Sequence, residues 1–223
     1  MDEKLPDTAT RRKCLAAAAA AGTTATAGCV GGLLSSSGGA YDCPSGDGET
    51  VSEGPQPALG PTPDEAAVTV KVWEDFSCPH CATFSLEVVP RIRDEYVSGG
   101  EVRYEHHDFP IPVRDWAWDA ASAGRAVLAA ADAEGFFEYA KTVYETQGDY
   151  RTKVVGDAAD AVGVEPCTAV TAATAETYRP LLEADKQAGL DTGIQGTPGI
   201  VVDGNLVEGN DFESVSAAIE DAL

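Results

Sequence analysis

The stretch Asp75-Phe76-Ser77-Cys78-Pro79-His80-Cys81 constrains this chain more than any other. A Cys-x-x-Cys pair can close a small disulfide ring or hold half of a metal site. The flanking residues favour the first. Val68 to Trp73 alternates, is rich in β-branched types and reads as a strand. After Cys81, the residues Phe84, Leu86, Val88 and Val89 recur at helix-like spacing. The cysteines therefore stand where a strand turns into a helix. Cys78 falls at the helix N-terminus, where unpaired backbone N–H groups and the helix dipole favour a thiolate. Pro79 suits the first turn, because its missing N–H has no partner there. His80 adds positive potential beside the sulfur. A thiolate of low pKa is a stable leaving group, so a disulfide built on it is a strong oxidant.

The metal alternative needs a second Cys/His pair. The candidates are His106 and His107, which adjoin in an alternating run and so point to opposite faces. The reading is a redox dithiol, with no metal and no cofactor.

At this point the sequence resembles the DsbA-like branch of the thioredoxin superfamily. The residues that carry the resemblance are Asp75-Phe-Ser-Cys78-Pro79-His80-Cys81 and, far downstream, Gly196-Thr197-Pro198. It runs from about Asp64 to Leu223. It implies an α/β thioredoxin-like fold with a helical insertion, Cys78 as nucleophile and Cys81 as its resolving partner. It also implies that Pro198 is a cis-proline beside the active disulfide, and that the Thr197 backbone pairs with an extended substrate peptide. One departure stands out. The family often places a buried acid six positions before the first cysteine, as proton acceptor for the second, and here that position is Val72. Glu74 and Asp75 are close in sequence but read as lying in other strand phases or in the turn, which leaves water or one of these carboxylates to take the Cys81 proton.

The rest of the chain fits this frame. Ser98-Gly99-Gly100 stops the first helix, and Glu101 to His106 alternates as the next strand, so strand–helix–strand makes a right-handed parallel unit. From about 114 to 192 the pattern is helical: Trp116 to Ala133, an aromatic stripe from Phe136 to Tyr144, Lys153 to Val162, and Cys167 to about Lys186 with Pro180 as a kink or break. This block looks like the helical insertion of DsbA-like proteins. Ile200-Val-Val202, the Asp203-Gly204-Asn205 turn, Leu206-Val207 and an amphipathic helix with Phe212, Val215, Ile219 and Leu223 on one face complete a ββα ending.

Residues 1–28 read as an export signal. Arg11 and Arg12 form a twin-arginine element ahead of a mild, short apolar run. Thr26-Ala27-Gly28-Cys29 resembles the lipobox of prokaryotic lipoproteins, with Cys29 as the lipidated residue. Residues 29–63 are rich in Gly, Ser and Pro without periodicity and read as a flexible linker, with the domain at 64–223. Cys14 leaves with the signal and Cys29 takes the lipid. Cys43 and Cys167 are then left either to form a structural disulfide or to remain two separate thiols.

Asp and Glu number 37 against 15 Lys and Arg, a formal net charge of −22 over 223 residues. Such a surface repels nucleic acid and anionic lipid headgroups. In a chain that is 43% hydrophobic it points to a folded protein adapted to high salt, and with the twin-arginine element the resemblance implies a haloarchaeal exported lipoprotein. The expected protein is a monomer on the extracytoplasmic face of the membrane, lipid-anchored or else secreted. It exchanges disulfides with exported proteins and is recycled by a membrane redox partner. Three alternatives stay open at this level: a copper- or zinc-handling lipoprotein, a reductase or isomerase on the same fold, and a peptide-binding chaperone without redox turnover.

Overall fold

The computed structural model describes residues 41–46, 49–111 and 114–223. The twin-arginine pair Arg11–Arg12 and the lipobox Cys29 lie outside the described residues.

The sheet grows from the apolar run that ends at the cysteines. β2 (Val68–Glu74) buries Val68, Val70 and Val72 and pairs in parallel with β3 (Val102–Asp108). Between them runs one helical stretch, α1 (79–97), in which α-helical and π-helical segments alternate. β4 (Gly199–Val202) joins the other side of β2, antiparallel, and β5 (Asn205–Leu206) pairs with β4. β1 (Ala58–Leu59) pairs antiparallel with β3, so the order is β1-β3-β2-β4-β5. Phe84, Val88 and Ile92 of α1 share a core with the strand valines and with Phe212, Val215 and Ile219 of the last helix. This is the thioredoxin-like fold.

Five helices intervene between β3 and β4: α2 (Ala117–Ala130), α3 (Ala133–Glu145), α4 (Thr152–Ala161), α5 (Pro166–Thr174) and α6 (Arg179–Asp191). α7 (Phe212–Ala222) closes the chain. The insertion is rich in alanine, and the small side chains let its helices approach closely around Phe136, Tyr139, Val143 and Leu182. Asp132 caps α3 by accepting the Gly135 N–H at 2.9 Å. The helix expected over Cys167 to about Lys186, with a kink or break at Pro180, is two helices whose break falls just before that proline. Glu176 adopts a positive φ of 46° between them, and Pro180 sits in the first turn of α6, where its missing N–H costs nothing.

A buried arginine locks the insertion to the sheet. Arg125 on α2 is 2% exposed. Its Nε donates to Asp108 Oδ2 at 2.7 Å, at the end of β3, and its Nη2 donates to Asp185 on α6. Its Nη1 donates to the Pro55 carbonyl at 3.0 Å.

The expected flexible linker is corrected from Tyr41 onward. Gln56 hydrogen-bonds Asp185 at 3.1 Å, the Val51 N–H donates to the Thr177 carbonyl at 2.8 Å, and β1 extends the sheet. The domain thus begins before Asp64. Gly60 is required where this strap leaves the sheet: its φ is +88°, and a Cβ there would meet the Val102 carbonyl oxygen at 2.4 Å. A two-residue strand carries no periodicity to read, and the other attachments join residues more than a hundred positions apart.

Candidate active site

β2 ends at Glu74, and the next residues build a tight turn. The Asp75 carboxylate accepts the Ser77 N–H at 2.6 Å and the Ile111 N–H at 2.7 Å, while its carbonyl accepts the Cys78 N–H at 3.0 Å. Cys78 is the N-cap of α1, in an extended conformation, with Pro79 in the first turn. From across the molecule the Gln147 amide donates to the Phe76 and Cys78 carbonyls at 2.8 and 2.9 Å. The insertion therefore helps to hold the cysteine loop.

Both cysteines are free thiols, and their environments pull them apart. Cys78 is lowered to about 5. The main cause is a hydrogen bond from the Cys81 thiol; burial opposes it, and the Thr197 side chain and the backbone N–H groups of Cys81 and His80 add to the lowering. The Thr197 hydroxyl is buried and has no hydrogen-bond partner in the structure. Cys81 is pushed well up, first by burial, then by its bond to Cys78 and by the nearby negative charge of Glu74. Pro79 and His80 are exposed, and the backbone N–H of His80 helps to lower Cys78. The Thr197–Pro198 peptide is cis, and in the thiol form Cys78 Sγ donates to the Thr197 carbonyl at 3.4 Å. Two pairs more than a hundred positions apart in sequence thus meet: Cys78 and Cys81 with Thr197 and Pro198.

Beside Cys81 lies Glu74, one of the two carboxylates that the sequence offered, along with water, for its proton. Glu74 is two residues from Val72, one full pleat, and therefore on the same face of β2. It is 2% exposed; Oε1 accepts from Ser85 at 2.6 Å and Oε2 from His106 Nδ1 at 3.1 Å. The alternation Val70, Val72, Glu74 was the available signal. Gln147, on a 3₁₀ turn after α3, left no signal of its kind. His106 and His107 do face opposite ways. Glu74 and Asp108 hold the first, while Glu105 and Asp185 hold the second, which stacks on Trp73 at 4.4 Å. Among the described residues no group of His, Cys, Asp and Glu has a metal-binding arrangement. Cys43 and Cys167 form a disulfide with an S–S distance of 2.09 Å.

Strand, cysteine turn, helix and cis-proline loop define a thioredoxin-fold dithiol protein. Residues 54–221 match the family model described as "Thioredoxin", and the chain belongs to that family. It is 28% identical over 169 residues to the "Probable disulfide bond formation protein D" of Bacillus cereus, covering 72% of this chain and 76% of the relative. It is 26% identical over 175 residues to "Disulfide bond formation protein D" of Bacillus subtilis, covering 75% and 77%. The crystal structure of oxidised BdbD from Bacillus subtilis superposes with a TM-score of 0.68 at 26% identity, over 78% of this chain and 98% of that one. DsbA of Chlamydia trachomatis, at 22% identity and a TM-score of 0.67 over 74% and 88%, has the same fold. The chain is a DsbA-like dithiol–disulfide oxidoreductase.

Proposed function

We propose that this enzyme is a disulfide donor to exported proteins and that Cys78 and Cys81 are its redox pair. The carrying observation is the acidic Cys78 thiol beside the cis Thr197–Pro198 loop, paired with a buried, weakly acidic Cys81. In the oxidised enzyme a substrate thiolate attacks Cys78 Sγ, the Cys78–Cys81 bond breaks, and Cys81 leaves and takes up a proton. A second substrate thiol resolves the mixed disulfide and expels Cys78 as a thiolate, the form its surroundings favour. Thr197 presents backbone to an extended substrate segment in a short β-augmentation. Glu74, buried with His106, is the acid that delivers and accepts the Cys81 proton in place of the one missing at Val72. Pro79 shapes the helix start, and His80 supplies an N–H to the thiolate.

The twin-arginine pair Arg11–Arg12 and Cys29 support export and a lipid anchor on the outer face of the membrane, with a membrane redox partner to re-oxidise the dithiol. The net charge of −22 supports work as a monomer in concentrated salt.

The reduction potential of the Cys78–Cys81 pair, equilibrated in glutathione buffers, tests the direction. A value near roughly −120 mV, as for DsbA, supports the donor reading. A value near about −270 mV, the thioredoxin level, replaces it with a reductase. Glu74→Gln tests the proton acceptor. The variant should slow release of Cys81 from the disulfide while leaving the Cys78 titration in place; an unchanged rate would exclude Glu74 from that role.

A further inference from the structure

We propose that a second copy of this chain is itself a substrate: the oxidised Cys78–Cys81 pair of one copy makes the Cys43–Cys167 disulfide of another. This rests on the donor reading above.

The chain carries two cysteine pairs of opposite character. One is an exchanging dithiol; the other is a closed bridge between residues 124 positions apart. The acceptor is a chain whose insertion has folded and brought Cys167 to the strap before the bridge closes. A chain in that state presents a dithiol on a folded surface. Cys43 lies in residues 41–46, which form neither helix nor strand. Among the described residues no backbone–backbone hydrogen bond ties this stretch to the rest. Besides the bridge, it is held by Tyr41 Oη donating to Asp157 Oδ1 at 2.8 Å and by Thr171 Oγ1 donating to the Pro44 carbonyl at 3.3 Å. Among the described residues the Pro44 carbonyl is the one peptide group of this stretch that is hydrogen-bonded, which leaves the others for an outside backbone, as a segment docking on the Thr197–Pro198 loop requires. Cys43 is half-buried at the edge of the helical core rather than enclosed in it. Cys167 is the second residue of the nine-residue α5, where free backbone N–H groups favour a thiolate.

The electrons balance without a further oxidant. The Cys43 thiolate of the acceptor attacks Cys78 Sγ of the donor, and the donor's Cys78–Cys81 bond breaks. The acceptor's Cys167 thiolate then attacks Cys43 Sγ and expels Cys78 as a thiolate. The acceptor loses two electrons and two protons. The donor disulfide takes both electrons; Cys81 takes one proton and solvent the other.

Two full-length variants test this, both with Cys14→Ser and Cys29→Ser. The donor carries Cys43→Ser and Cys167→Ser and is oxidised at Cys78–Cys81. The acceptor carries Cys78→Ser and Cys81→Ser and is reduced. They are mixed one to one, quenched with alkylating agent and read by peptide mass spectrometry, with reduced unfolded ribonuclease as a control acceptor. The expected result is a Cys43–Cys167 disulfide formed about ten-fold or more faster than with an equal concentration of oxidised glutathione. Because both copies carry a formal charge of −22, the rate should rise with salt. Oxidation of ribonuclease but not of the acceptor would overturn the inference and leave the donor reading intact; oxidation of neither would overturn both. A second readout does not depend on closing the bridge. A donor with Cys81→Ser, activated at Cys78, should cross-link to an acceptor that retains Cys43 and carries Cys167→Ser. Cross-linking only to the acceptor that retains Cys167 would overturn the proposed order of attack.

Discussion

Glu74 Oε2 accepts a hydrogen bond from His106 Nδ1 at 3.1 Å, with both side chains buried behind Cys81. The other ring nitrogen of His106 faces Asp108 at 3.4 Å. Burial works against a charged ring, but the two carboxylates outweigh it and raise His106 to about 9. His106 is therefore an imidazolium at neutral pH, shared between an acid of the redox site and the acid that receives Arg125. The redox centre and the joint between sheet and insertion are one electrostatic unit.

This unit makes stability fall on the alkaline side. A histidine raised from 6.5 to about 9 contributes stability that is complete below 6.5 and lost as pH rises through about 9. His107 is shifted in the same direction by Asp185 and Glu105 against its burial. Thermal unfolding of the oxidised protein, in which Cys78 and Cys81 do not titrate, should show a falling midpoint between pH 6 and 10, on the order of several degrees. His106→Gln should flatten that slope; an unchanged slope would remove His106 as its source.

Cys78 should titrate near pH 5 by thiolate absorbance in the reduced enzyme. Because its pKa is lowered from 9.0, the stabilisation of the reduced form is complete above 9.0 and lost as pH falls through about 5. Cys81→Ala removes the main hydrogen-bond donor and should move the Cys78 titration upward. A midpoint that stays at about 5 would assign the effect to the helix N–H groups and Thr197 instead.

Arg125→Ala should cost about 3–5 kcal/mol, because it leaves Asp108 and Asp185 buried without their partner. Arg125→Lys should recover little, since a single ammonium cannot span Asp108, Asp185 and the Pro55 carbonyl as the guanidinium fork does. Urea unfolding of the three proteins measures both; a loss below about 1 kcal/mol for the alanine variant would place the joint elsewhere.

Cys43→Ala should cost about 2–4 kcal/mol by freeing the unfolded chain, given the 124-residue separation of the bridged cysteines. Limited proteolysis should then cut first within residues 41–57, while the Cys78 titration stays in place. A cut elsewhere, or a shifted titration, would mean that the strap supports the active site itself.

With a formal charge of −22, stability should climb with ionic strength. The screening length shrinks from about 10 Å at 0.1 M to about 3 Å at 1 M, which removes repulsion between neighbouring carboxylates. A melting temperature that does not rise between these salt concentrations would detach the acidic surface from any adaptation to high salt.

The amino-acid sequence by itself determined the parts that depend on neighbours. Alternation from Val68 onward specified β2, and helical spacing after Cys81 specified α1. Their junction placed Cys78 at a helix N-terminus. Thr197-Pro198 ahead of Ile200–Val202 marked the strand that returns beside the cysteines, and the Gly-Gly stop and the Asp203-Gly204 turn bounded their elements. Each of these follows from backbone periodicity or turn chemistry within a few residues. The tertiary structure alone decided what depends on distant partners. Glu74 became a buried acid because His106 and Ser85 meet it there. Gln147 reached the Cys78 loop because the insertion folds back. Residues 41–46 and 49–63 became a strap because Cys167, Thr177 and Asp185 hold them. The physical reason is that periodicity records which face a residue takes, whereas a buried charge is stabilised only by the group that arrives opposite it.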